Sequence, residues 1–153
     1  MKQYQISQFL TQAQAVTQLA QRIRDTLLST SPDDLLSQHV VYSLVPDEPL
    51  SVFADVLHTR HIVRLEYAKY TLPNGELASA RYVDISLIGG NEVTGSILMS
   101  IVAPNHLLLP NDENLEFPLG GDDSYQVGRV RNAITQALLG SVIGGLPKWT
   151  SGS

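Results

Sequence analysis

Three apolar–polar alternating runs separated by two hairpin turns constrain this chain more than any other feature. Residues 61–71 place Val63, Leu65 and Tyr67 against Arg64, Glu66 and Ala68. Residues 78–88 place Val83, Ile85 and Leu87 against Asp84 and Ser86. Between them stands Pro73-Asn74-Gly75, where Pro presets a negative φ and Gly accepts a positive one. Gly89-Gly90-Asn91 then leads into residues 92–102. Side chains on a strand alternate with period two, so these runs predict an antiparallel meander. The third run differs, with Ile97, Met99 and Ile101 on one side and Leu98 and Val102 on the other. A strand apolar on both faces is either covered twice or left open for a partner.

Two helices flank the meander. Over residues 5–30, Ile6, Phe9, Ala13, Val16, Ala20, Ile23 and Leu27 follow steps of three and four, a heptad stripe widened by Leu10, Leu19 and Leu28. The polar face carries Gln at 3, 5, 8, 12, 14, 18 and 21, with no charged residue from Gln3 to Gln21. A free-standing coiled coil normally carries charges beside its seam. The Gln face therefore meets either water or a neighbouring subunit, where amides both donate and accept. Ser29-Thr30-Ser31-Pro32 ends the helix. A second helix is expected from about Ser124, begun by Asp123 with Gln126 three residues on, with Val127, Val130, Ile134, Leu138 and Val142 on its apolar face. Gly140 weakens it and Gly144-Gly145 end it.

The remaining segments carry weaker signals. Gln38–Val45 reads as a strand, Pro46-Asp47-Glu48-Pro49 as a turn, and Ser51–His58 as a short helix with Val52, Phe53, Val56 and Leu57 on one side. Residues 103–121 read as a long irregular loop interrupted by Pro104, Pro110 and Pro118. The expectation is a single α+β domain over residues 1–153. Its four-stranded antiparallel meander is packed by a long N-terminal helix and a C-terminal helix, with a long irregular loop before the last helix and a flexible tail at about 146–153.

Composition narrows the function classes. A net charge of -5 with scattered basic residues argues against nucleic-acid binding. The absence of cysteine excludes disulfide scaffolds, thiol nucleophiles and thiolate metal sites. The N-terminus lacks a signal peptide's apolar run and no stretch is long enough to span a membrane, so the expected location is intracellular (cytoplasmic) or within a virion. Charged residues are only 16%, against about 25% in a typical domain. That deficit points either to an uncharged polar surface or to a surface covered by other protein.

No motif identifies a reaction or a ligand. His58 and His61, three apart with Asp55 nearby, have chelating residue types but span a predicted element junction, which favours two ordinary histidines. His39, His106 and the many serines stand outside any nucleophile elbow. Asp112, Glu113 and Glu116 cluster in the long loop as solvent-exposed charges rather than a glycosidase carboxylate pair, and Asn111-Asp112-Glu113-Asn114 supplies hard oxygens without EF-hand spacing. No catalytic residue, cofactor, metal or small-molecule site is assigned.

The reading is therefore a non-enzymatic structural or assembly subunit of a larger complex, such as a virion or phage-tail component, acting by self-association as a homo-oligomer. The candidate contact residues are Gln8, Gln12 and Gln18 on the first helix, Leu107, Leu108, Leu109 and Phe117 in the long loop, and Trp149 in the tail. The loop leucines and Phe117 have a plainer role available, covering one edge of the core, and Trp149 can stitch the tail back onto the domain. A partner-binding adaptor, chaperone or inhibitor is the alternative, and a small enzyme or ligand-binding domain the second alternative.

Overall fold

Each strand of this fold pairs with its neighbour in the chain. The computed structural model describes residues 1–29, 36–103, 105–118 and 124–152. Helix α1 runs Gln3–Leu28, a 3-10 turn follows at Leu36–His39, and the strands are β1 (Val41–Val45), β2 (Glu48–Val56), β3 (Thr59–Leu72), β4 (Gly75–Ile88), β5 (Asn91–Ala103), β6 (His106–Leu108) and β7 (Asn114–Glu116), followed by helix α2 (Ser124–Gly144). The strands form one sheet in the order β1-β2-β3-β4-β5-β6-β7, every pair antiparallel. The α+β class, the two helices and the meander stand as expected, but the sheet has seven strands rather than four.

Two corrections account for the added strands, and a third moves a boundary. Ser51–His58 is not a helix: Val52, Ala54 and Val56 are buried and alternate with half-buried Phe53 and Asp55, the period of a strand. Val52, Phe53 and Val56 satisfy a helical spacing equally well, because short apolar runs do not separate the two periods. The hairpin turn that would have settled it, Leu57-His58, has both residues left-handed (φ 49 and 63) without a Gly or Asn to announce it. Residues 103–121 are not wholly irregular: β6 and β7 pair as a small hairpin, with Leu107 opposite Leu115. Three residues each is too short for an alternation to register. The segment from Gln38 starts in the 3-10 turn, and strand geometry begins only at Val41. The expected helix cap Asp123, the loop residue Pro104 and Thr30-Ser31-Pro32 lie outside the described residues.

The third meander strand is neither covered twice nor left bare. Met99 pairs with Tyr82 and Ile97 with Val83, so Leu98 is an extra residue in β5. The bulge turns both Leu98 and Met99 into the core, where each is fully buried. A second irregularity sets Gly95 and Ser96 of β5 against Asp84 alone, since Ile97 faces Val83 and Thr94 faces Ile85.

The main core lies between the sheet and the helices. Val16, Leu19, Ile23 and Leu27 of α1 and Val130, Ile134, Leu138 and Val142 of α2 meet Val52, Val63, Tyr82 and Ile101 from the strands, closed by Leu107 and Phe117. At about 25 cal/mol per Å² of apolar area removed from water, this burial is the main stabilising contribution. Polar ties fix the helices: Tyr42 Oη and Thr135 Oγ1 are 2.8 Å apart, and Arg131 Nη1 donates to Ser29 Oγ at 3.0 Å. A smaller cluster of strand residues, Val45, Ile62, Val83 and Ile85 with Phe53 and Leu87 against it, forms a separate apolar group on the sheet.

Candidate interaction surface

Helix α1 is 26 residues long, about 39 Å at 1.5 Å per residue. Its heptad stripe is used only in part. Val16, Leu19, Ala20, Ile23, Thr26 and Leu27 are buried, whereas each of residues 1–15 is exposed or half-buried. Ile6 is 44% and Leu10 58% exposed, and Tyr4 is also exposed. Hydrogen bonds pin the helix to the sheet at Arg24, whose Nη1 donates to the Pro49 carbonyl at 2.6 Å, at Thr17, whose hydroxyl bonds that of Tyr67, and at Gln12, whose Oε1 accepts the Ala78 backbone N–H at 3.0 Å. From there to Met1 the helix projects over the tip of the β3–β4 hairpin.

A groove of about 700 Å³ runs beneath this projection. Tyr4, Gln8, Phe9 and Gln12 form its helical wall, and Leu72, Glu76 and Leu77 belong to the hairpin side. Two of the three expected glutamines therefore meet in one place with Phe9 of the heptad stripe and with Tyr4, Leu72 and Leu77. Gln18 is exposed and lies outside the groove lining.

The remaining candidates divide. Leu107 and Phe117 are fully buried in this chain's own core, and the Arg22 guanidinium stacks 4.7 Å from the Phe117 ring centroid. Leu108 and Leu109 are half-buried, Leu109 against the main core. Leu109 also lines a shallower cleft of about 420 Å³ with Arg129, Asn132 and Gln136 of α2. Trp149 is 95% exposed, so the tail is not stitched back by its indole.

The histidine pair is separated. Arg60 pairs with Asp55 in the β2–β3 register and His61 with Ala54, so Asp55 and His61 lie on opposite faces of the sheet. The Arg60 guanidinium grips Asp55 at 2.9 and 3.1 Å and holds that carboxyl below its usual range. Among the described residues no group of three His, Asp or Glu side chains is placed to hold a metal. His61 is instead buried with Asp84, its Nδ1–H donating to Oδ1 at 2.7 Å, while Ser141 Oγ of α2 donates to Oδ2 at 2.8 Å. Thr59 Oγ1 lies 3.3 Å from His61 Nε2, in the acid–imidazole–hydroxyl order of a hydrolytic triad. The Thr59 hydroxyl, however, donates to the Val56 carbonyl at 2.7 Å, so its proton is directed away from the imidazole. This cluster ties β3, β4 and α2 together, and nothing in the sequence singled out Asp84 or Ser141.

Among the described residues no helix is long and apolar enough to cross a membrane. No family model matches the chain, no curated protein matches it, and no solved structure matches it.

Proposed function

We propose that this chain is a non-enzymatic assembly subunit that associates with copies of itself through the projecting half of α1 and the groove beneath it. The observation that carries the reading is the unburied first half of α1. Helices in proteins draw most of their stability from packing an amphipathic face, and a short helix alone in water is marginal. Here Tyr4, Ile6 and Leu10 stand in solvent on a stretch without charge from Gln3 to Gln21. An apolar surface of this kind is a common mark of a protein contact. The kind of assembly follows by analogy of size and shape: a virion or phage-tail component, or a comparable machine inside the cell.

The test is mass in solution by light scattering after size exclusion, over a hundredfold concentration range, with the full chain beside an Ile6→Glu/Leu10→Glu variant. Both positions are exposed, so the variant is expected to fold. The parent is expected to form a discrete multiple of 16.7 kDa and the variant to remain at 16.7 kDa. A parent monomeric at every concentration would overturn self-association and leave the adaptor reading, in which the same groove receives a different protein.

A further inference from the structure

We propose that the cleft between the β6–β7 hairpin and α2 binds a free aliphatic α-amino acid, its carboxylate on Arg129 and its ammonium on Glu113. The site is separate from the projecting half of α1, so the inference goes beyond the self-association proposed above and stands without it.

The cleft follows from two unlike faces of α2. Val130, Ile134 and Leu138 fill the core, whereas Arg129, Asn132, Ala133, Gln136 and Ala137 follow the same steps of three and four along the neighbouring face. The short side chains of Ala133 and Ala137 leave a space of about 420 Å³ toward the hairpin, within the range of small-molecule sites. The hairpin rim is fixed by its own bonds. The Leu109 N–H donates to the Glu113 carbonyl at 2.9 Å and the Asp112 N–H to the Leu109 carbonyl at 3.0 Å. Asn111 Oδ1 accepts the Glu113 N–H at 3.1 Å, which leaves the Asn111 amide nitrogen to donate. A rim already ordered loses little freedom when a ligand arrives.

The lining selects a ligand with both charges. Glu113 on the hairpin and Arg129 on the helix border one cleft, yet neither has an ion pair among the described residues. A lone carboxylate would meet Glu113 beside Arg129, and a lone amine would meet Arg129 beside Glu113. A zwitterion complements both. The guanidinium takes a carboxylate through two parallel N–H bonds, and the amides of Asn132 and Gln136 can donate or accept beside it. The same guanidinium repels a metal cation from Glu113. Between the charges the floor is aliphatic, with buried Leu115 and half-buried Leu109 beside Ala133 and Ala137. It holds no aromatic ring among the described residues on which a nucleobase would stack. An aliphatic side chain is what such a floor removes from water.

The test is calorimetric titration with leucine, leucinamide, N-acetylleucine and glycine. Leucinamide lacks the carboxylate, N-acetylleucine the ammonium and glycine the side chain. Leucine is expected to bind saturably, and each of the other three at least about tenfold more weakly. Arg129→Gln and Glu113→Gln change exposed residues, so both variants are expected to fold. Arg129→Gln is expected to weaken leucine at least about tenfold and leave leucinamide unchanged. Glu113→Gln is expected to weaken leucine equally and leave N-acetylleucine unchanged. No saturable binding of leucine at about 10 mM would overturn the proposal. Equal affinity for leucine, leucinamide and N-acetylleucine would overturn it too, as would leucine binding that neither variant alters.

Discussion

His61 Nδ1 stands 2.7 Å from Asp84 Oδ1, and neither residue is more than 6% exposed. The pair joins the start of β3 to the middle of β4, and Ser141 extends it to α2 by donating to Oδ2. A buried carboxylate is tolerable only when its oxygens are hydrogen-bonded, and both oxygens of Asp84 are. Asp84→Ala leaves His61 and Ser141 without their partner in the interior. It is expected to cost about 3 kcal/mol of unfolding free energy in a urea titration. Ser141→Ala is expected to cost about 1 kcal/mol. Equal stability of Asp84→Ala and parent would show that the pair contributes nothing.

Gly95 makes room for that carboxylate. A Cβ built there would stand 3.0 Å from the Asp84 carbonyl oxygen and 3.4 Å from its Oδ2. Gly95→Ala is expected to lose about 1–3 kcal/mol through the forced shift of β5. Gly140→Ala is the control, since Gly140 lies within α2 with open space where the Cβ would go. There the substitution is expected to add about 0.5–1 kcal/mol, because Gly is the poorer helix former. Thermal melts of the two variants should move in opposite directions.

The Tyr82 hydroxyl is buried and has no hydrogen-bond partner among the described residues. Burial pushes the phenol's pKa up, because the phenolate has no solvent to support it. Tyr82→Phe removes an unsatisfied polar atom and keeps the ring. It is expected to match or exceed the parent's stability by up to about 1 kcal/mol in chemical denaturation. A loss of more than about 1 kcal/mol would mean that the hydroxyl is in fact satisfied.

Arg64 reaches both Glu48 and Glu92, at 2.7 Å each, across the face of β3. Its hydrogen bonds hold the Glu48 and Glu92 carboxyls below their ordinary value of 4.5. Burial opposes this at Glu48 but is outweighed. A carboxyl whose folded-state pKa is depressed stabilises the fold fully above its unfolded value and loses that contribution as pH falls through the folded one. Unfolding free energy is therefore expected to decline from pH 4.5 downward, and Arg64→Gln to flatten that part of the decline. An unchanged acid limb in Arg64→Gln would assign the decline to other carboxyls.

Period and punctuation made much of the fold legible. Val130, Ile134, Leu138 and Val142 are buried as their spacing requires, and the β3–β4 and β4–β5 hairpins turn at Pro73-Asn74 and Gly89-Gly90. Strand β2 was misread because its turn uses left-handed Leu57 and His58, residue types that carry no turn signal. The candidate surface was partly legible: Gln8 and Gln12 stand in the groove, while Leu107 and Phe117 closed the core instead. An apolar residue in a loop reads the same whether it faces its own domain or another.

What the sequence determined by itself is local: helical and strand periods, turn chemistry, and an uncharged first helix, all set by residues within a few positions of one another. What only the tertiary structure decided is non-local. It stopped the burial of α1 at Val16, opened a groove under the remainder, and left Trp149 in solvent. It also brought Asp84 to His61 and Ser141, from 23 and 57 residues away. A stripe of apolar side chains states that a face will be covered, but the length of the sheet beneath it decides how much of that face this chain covers itself.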